Sequence, residues 1–271
     1  MSKIAVFDSG FGGLTVLKEL QKLMPGEQYI YYGDSANAPY GEKSPEELLK
    51  LTTEVCNKIL AEDDVKCFVI ACNTTTSEAF GPLTANFPDK PFVGIEPALR
   101  WAVEENPGKH ILVLGTTATV NGRRLRSRYE ELKDKAKISL LAATRIVPYV
   151  EGHDITREAF MDYLRETLAP YRKDTDCVVL GCTHFPFVRE ELRKCFDKEI
   201  RFYDAAISVA RETKALLSER GLLAESAAGD ASTSGIITEN ISNTNKTPVT
   251  LFMNSDPDRI NREKELLDEY Q

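Results

Sequence analysis

The stretch CFVIACNT at residues 67–74 returns as CVVLGCTH at residues 177–184, with both cysteines in register. Each copy is a short apolar run that breaks into small polar residues, the pattern of a buried strand ending in a loop. Working outward, KIAVFDS (3–9) aligns with HILVLGT (110–116) and IEPA (95–98) with YDAA (203–206), at offsets of about 107 to 110 residues. A single apolar match arises easily by chance. Three matches in one order, together with the order of the elements between them, point to an internal duplication. Predicted strands fall at 4–7, 29–32, 67–71, 92–95, 111–114, 143–147, 177–180 and 201–203, with helices in most of the gaps. That alternation builds mostly parallel sheets. The expected fold is therefore α/β, with two pseudosymmetric lobes, each a mostly parallel sheet flanked by helices. Carboxyl ends of the strands face a shared cleft, where the active site is expected. The first lobe is residues 1–98, completed by 209–271, and the second is residues 99–208.

The best-marked helix starts at Ser44, where Ser44, Pro45 and Glu47 form a capping-box pattern with proline in the first turn. Its apolar stripe is Leu48, Leu51, Val55 and Ile59. Residues 225–248 are rich in Ser, Thr, Asn, Ala and Gly and read as a flexible surface segment before a terminal strand and helix.

Composition narrows the function. A net charge of -8 works against nucleic-acid binding. The cluster Arg123, Arg124, Arg126 and Arg128 reads as the solvated face of a helix beginning near Asn121. No apolar run is long enough for a bilayer, and the apolar run at 4–7 follows too soon for a secretory signal, so a cytoplasmic protein without a membrane partner is expected. The six cysteines lack a Cys-x-x-Cys spacing, and the three histidines stand in no recognised metal-ligand spacing. No metal is expected. Catalysis or core packing is the expected use of the thiols in a reducing compartment.

Cys72 and Cys182 each follow a buried strand and precede small polar residues. A thiol near a helix N-terminus is biased toward thiolate by the local dipoles. Alone, either cysteine would read as a small apolar core residue. In matched positions of two facing lobes, they approach one small molecule from opposite sides, one thiolate removing a proton while the other thiol donates one. This geometry inverts a stereocentre. Asp8 is placed either to orient Cys72 or to cap a helix. The turn Asp8-Ser9-Gly10-Phe11-Gly12-Gly13 lacks the Gly-x-Gly-x-x-Gly spacing, so its N–H groups suit a substrate carboxylate better than a dinucleotide. Residues 33–41, GDSANAPYG, form a loop able to close over a ligand or a plain surface turn. His184, two residues beyond Cys182, and Glu151, in the loop after the strand at 143–147, can tune the second thiol, whereas His153 reads as structural. No phosphate-binding cup of a pyridoxal enzyme is evident, and no cofactor is expected.

The strings FDSGFGG (7–13), YYGDSANAPYG (31–41), ACNTTTS (71–77), GIEPA (94–98), LGCTHFP (180–186) and SDPDR (255–259) resemble the signatures of the glutamate racemases of the aspartate/glutamate racemase superfamily. The resemblance spans nearly the whole chain. It implies a metal-free, pyridoxal-free, two-thiol racemase of a bacterium, supplying D-glutamate for peptidoglycan, with a homodimer as the common assembly. It also implies that Asp8 assists Cys72, that Glu151 and His184 assist Cys182, and that Cys72 serves D-glutamate and Cys182 L-glutamate. Ser9, Tyr40, Gly41, Asn73, Thr74 and Thr183 would hold the substrate, with Asp8 and His184 beside it and Thr75, Thr116 and Thr119 as further contacts. The precursor activation of relatives with an N-terminal extension is not expected. A related racemase or isomerase acting on aspartate, hydantoins or maleate would use the same thiols with a different clamp. A thiol hydrolase using Cys182 and His184 would leave Cys72 without a role. In a noncatalytic binder of acidic ligands, both cysteines would be packing residues.

Overall fold

The central strands of this chain are apolar on both faces, and that decides how they assemble. In β1 (Lys3–Asp8), Ile4 and Val6 enter one core cluster while Ala5 and Phe7 enter another, so the strand must be covered above and below. β5 (His110–Gly115) divides in the same way, with Leu112 and Leu114 on one side and Ile111 and Val113 on the other. Strands buried on both faces are characteristic of parallel sheets layered between helices. The computed structural model describes residues 2–224 and 250–269. The polar run at 225–248 lies outside the described residues.

The remaining strands are β2 (Tyr29–Gly33), β3 (Val65–Ile70), β4 (Phe92–Gly94), β6 (Lys137–Ala142), β7 (Cys177–Gly181), β8 (Arg201–Tyr203) and β9 (Thr250–Asn254). They form two sheets with the orders β4-β3-β1-β2-β9 and β8-β7-β5-β6, and every pairing is parallel. The first four strands of the one sheet correspond in order to the four of the other. β1 matches β5, β2 matches β6, β3 matches β7 and β4 matches β8, the correspondence that the repeated strings require. Register agrees as well: Ile4 lies opposite Cys67, and Ile111 opposite Cys177. β9 adds a fifth strand to the first sheet alone, pairing with β2. The helix Ala206–Glu219 buries Ala206, Val209, Ala210 and Leu217 in the core of that first lobe.

One expected strand is corrected. Residues 143–147 do not form one. The strand is β6, and the helix Ile146–Val150 begins where the strand was expected to end. β6 is an edge strand with half-buried side chains, so its apolar signal is diluted by Lys137 and Ser139. The denser run Ile146-Val147 belongs to a helix, and short apolar runs do not distinguish the two periods.

The Ser44 cap forms as expected: its hydroxyl accepts the Glu47 N–H at 3.2 Å, opening the helix Pro45–Glu62. Glu47 itself turns to Lys43 at 2.8 Å, so only half of the capping box is made. The arginine-rich helix is Arg123–Leu132, anchored by buried Leu125 and Leu132, with Arg124 paired to Glu96 and Arg128 to Glu131. A buried ion pair, Lys66 to Glu27 at 2.6 Å, lies under residues 222–224. Lys66 donates also to the Leu222 carbonyl, and Glu27 accepts the Ala224 N–H. Among the described residues, no helix is long and apolar enough to cross a membrane.

Candidate active site

Both sheets present their carboxyl ends to one cavity. Its lining comes from the residues that follow corresponding strands: Ser9 after β1, Tyr40 and Gly41 after β2, and Cys72, Asn73 and Thr74 after β3. From the other lobe come Thr116 and Thr117 after β5, Ala143 and Thr144 after β6, and Cys182, Thr183 and His184 after β7. The free volume is about 30 Å³, room for one or two waters, so the cleft is narrow. Hydrogen bonds cross it from lobe to lobe. The Thr183 hydroxyl donates to Asp8 Oδ2 at 3.0 Å, the Thr74 and Thr116 hydroxyls meet at 3.0 Å, and the Phe11 N–H donates to Glu151 Oε1 at 2.7 Å.

Cys72 stands at the N-cap of the helix Asn73–Glu78, its Sγ 3.6 Å from the Ser9 hydroxyl. Burial pushes this thiol up, and the nearby Asp8 carboxylate pushes it the same way, against the Thr75 N–H and the Ser9 hydroxyl. The thiolate bias expected from a helix N-terminus is thus outweighed: the helix has only six residues, and the sulfur has lost its water. Asp8 is itself raised, first by burial, against the opposing pull of His184. It does not cap the following helix, which starts at Leu14 behind Gly13. Its oxygens take the Gly10 N–H and the Thr183 hydroxyl instead.

Cys182 has a different neighbourhood. Its Sγ lies 3.8 Å from His184 Nδ1, while His184 Nε2 lies 2.6 Å from Glu151 Oε1. Burial alone would lower His184, but hydrogen bonds to Cys182 and Glu151, with the charge of Glu151, hold it well above the ordinary imidazole value. Burial would likewise raise Glu151, yet His184, the Phe11 N–H and Arg259 hold it low. The result is a histidine with a raised pKa beside one sulfur and an aspartate with a raised pKa near the other.

The expected site residues divide into two groups. Cys72, Cys182, Ser9, Tyr40, Gly41, Asn73, Thr74, Thr116, Thr183 and His184 line the cavity. Asp8, Glu151, Thr75 and Thr119 are buried but not among its lining residues; Thr119 donates its N–H to Thr116 Oγ1 at 3.2 Å and shares a hydroxyl bond with it at 3.0 Å. Glu151 directly follows the helix Ile146–Val150, where a loop after a strand was expected. His153 is exposed and lies on an outer groove. Several participants were not singled out from the sequence. Ala143 and Thr144 line the cavity because β6 ends at 142; placing that strand correctly and applying the duplication would have found them. Asp34, buried, accepts from the Tyr40 hydroxyl and holds it at the cleft. Tyr31 donates to the Gly10 carbonyl at 2.7 Å.

Two glycines are demanded by close approach. A Cβ on Gly10 would lie 1.9 Å from Glu151 Oε1, and one on Gly12 would lie 2.3 Å from Thr183 Oγ1. Asn73 Oδ1 is buried with no protein partner among the described residues, which leaves an acceptor for a bound N–H group.

Comparison with known proteins places this geometry in context. A family profile described as Asp/Glu/Hydantoin racemase matches residues 13–213. A glutamate racemase of Clostridium botulinum (strain Alaska E43 / Type E3) is 40% identical over 221 residues, covering 81% of this chain and 85% of the relative. Among solved structures, a glutamate racemase isoform from Bacillus anthracis has a TM-score of 0.79 at 27% identity, covering 100% of this chain and 95% of that one. The Escherichia coli glutamate racemase, solved with L-glutamate and the activator UDP-MurNAc-ala, has a TM-score of 0.77 at 27% identity, covering 100% of this chain and 96% of that one.

Proposed function

The chain belongs to the Asp/Glu/hydantoin racemase family, and on that premise we propose that it interconverts L-glutamate and D-glutamate by a two-thiol, cofactor-independent mechanism. One observation carries the reading: cysteines from equivalent positions of two duplicated lobes line the same cavity. Removing the Cα proton of an amino acid needs a base on one face and an acid on the other, and the environments of the two sulfurs differ in that sense. His184, whose pKa is held well above the ordinary imidazole value, stands beside Cys182, whereas burial and Asp8 push the Cys72 thiol up. Starting from L-glutamate, Cys182 takes the proton and Cys72 delivers one to the opposite face; starting from D-glutamate the roles reverse. Carbanion charge is met by fixed dipoles in a narrow cavity.

Ser9, Asn73, Thr74 and Thr183 offer hydroxyl and amide groups to the substrate's charged ends, and the free Asn73 Oδ1 suits its ammonium. Tyr40, held by Asp34, and Gly41 close the side-chain end, with Thr116 bracing Thr74 across the cleft and Thr75 and Thr119 behind them. Asp8 and Glu151 act from outside the cavity lining, through Cys72 and His184. Residues 1–98 with 209–271 form one working lobe and 99–208 the other, a division supported by β9 pairing with β2. The product serves peptidoglycan synthesis in the cytoplasm, where six unpaired cysteines are stable, and the homodimer implied by the resemblance belongs to the same reading. A hydrolase built on Cys182 and His184 would leave the matched Cys72 unused.

The test follows L-glutamate and D-glutamate by polarimetry and mass spectrometry in deuterated buffer with no added cofactor. The parent enzyme should interconvert them with deuterium entering Cα, and Cys72→Ser and Cys182→Ser should each lose nearly all turnover. Undiminished racemisation in either variant would refute the two-thiol reading.

A further inference from the structure

Glu151 takes four hydrogen bonds, and only one comes from His184. Oε1 accepts His184 Nε2 and the Phe11 N–H, while Arg259 Nη1 donates to Oε2 at 2.9 Å and to the Glu151 carbonyl oxygen at 3.0 Å. Arg259 comes from the short turn Pro257–Arg259, directly after β9, and so from the strand that extends the first sheet. Its guanidinium is fixed from two further sides: Asp256 Oδ2 lies 3.4 Å from Nε, and the Phe11 ring lies beneath, 5.3 Å from centroid to Cζ. Gly10, with no Cβ, lets the Glu151 carboxylate lie against the first-lobe turn at all. A C-terminal residue of one lobe thus grips the carboxylate that orients the histidine of the other.

We infer that Arg259 is a positioning residue for the Cys182 half of the reaction, holding the Glu151 carboxylate charged so that the proton of the Glu151–His184 pair stays on the imidazole beside the sulfur. This rests on the racemase reading above. Without a cation on Oε2, Glu151 competes better for that proton, and a neutral acid beside a neutral imidazole leaves the sulfur anion without its counter-charge. The surroundings sharpen the need for Arg259. Asp8 from β1, Glu263 from the terminal helix and the phenol of Tyr31 from β2 all face the same buried region, and each is raised chiefly by burial, with acidic neighbours adding to it. Around Glu151, Arg259 is the cation that joins His184 in holding the carboxylate low. On the outer side of the same residues, His153, Arg189, Glu190, Asp258 and Arg262 line a broad groove.

Arg259→Gln and Arg259→Lys, made in the full chain, test this. The overall equilibrium between mirror-image substrates is unity, so any loss in kcat/KM must be equal in the two directions, and the informative readouts are the pH profile and isotope effects. For Arg259→Gln the ascending limb of kcat/KM should move up by about one pH unit, which is roughly a tenfold loss below the limb and near-parental activity above it. Arg259→Lys, which keeps the charge, should hold the limb near its parental place. With Cα-deuterated substrates, Arg259→Gln should raise the isotope effect on L-glutamate, whose proton goes to Cys182, and lower it on D-glutamate. A loss of the same size at every pH, unmoved isotope effects, or a lysine variant shifted as far as the glutamine variant would overturn the inference. A parent enzyme that exchanges no Cα hydrogen overturns the racemase reading and this one with it, whereas an active parent with an unmoved limb overturns only the role of Arg259.

Discussion

Gly12→Ala is a perturbation of one methyl group whose consequence can be worked from distances. The added Cβ would lie 2.3 Å from Thr183 Oγ1, 2.4 Å from His184 Nδ1 and 2.8 Å from His184 Cε1, where ordinary contact begins at 3.4 Å. Both side chains must therefore retreat by about 1 Å. For Thr183 that breaks the 3.0 Å bond to Asp8, and for His184 it disturbs the 2.6 Å bond to Glu151 and the 3.8 Å approach to Cys182. Misplacement of catalytic groups by about 1 Å costs on the order of 100-fold in rate, or about 2.7 kcal/mol of transition-state stabilisation. Overpacking a buried site adds roughly 1–3 kcal/mol of lost stability. Polarimetry from each enantiomer should show kcat/KM lowered by the same factor in both directions, and thermal unfolding should show a reduced Tm. Gly81→Ala is the control, since that helical glycine is exposed and meets nothing within 4 Å; it should stabilise the fold by roughly 0.5–1 kcal/mol and leave activity alone. A folded Gly12→Ala enzyme with parental kcat/KM would refute the claim that these contacts position the site.

Two further outcomes concern buried charge. Burial pushes Glu263 up to about 8, with Glu151 and Asp8 adding to it and Asn254 and Arg259 opposing. An unfolded glutamate titrates near ~4.3, so between that pH and about 8 the folded chain holds a proton that the unfolded chain has released, and stability falls by up to about 1.4 kcal/mol per pH unit. Glu263→Gln should remove this slope and gain on the parent from pH 5 to pH 8 in urea unfolding; parallel curves would contradict the assignment. Lys66→Ala should cost about 3–5 kcal/mol by stranding Glu27 in the interior, and Lys66→Met with Glu27→Leu should recover much of it. A single variant as stable as the parent would show that the pair contributes nothing.

What was legible in the chain was whatever repeats or alternates locally. The matched cysteines announced the duplication, and the sheet orders β4-β3-β1-β2 and β8-β7-β5-β6 follow it strand for strand. Ser44 announced its helix because capping is settled within four residues. The strand expected at 143–147 shows the limit: an edge strand with half-exposed side chains carries a weaker apolar signal than the helix beside it, so Ala143 and Thr144 went unread as cavity residues. The role of Asp34 is not legible in its loop, because its bond to Tyr40 depends on how that loop folds back. Arg259 sat in a quoted motif, yet its partner Glu151 is 108 positions away.

By itself, then, the amino-acid sequence determined the strands' apolar faces, the doubled architecture and the chemical types gathered at the strand ends, since each depends on composition and spacing over a few residues. Only the tertiary structure decided which of those groups share a proton. Burial raised the thiol of Cys72 against its helix terminus, and the pairing of His184 with Glu151, itself gripped by Arg259, put a histidine of raised pKa beside Cys182. Charge balance in a dry site depends on every neighbour within a few ångströms, and those neighbours come from distant parts of the chain.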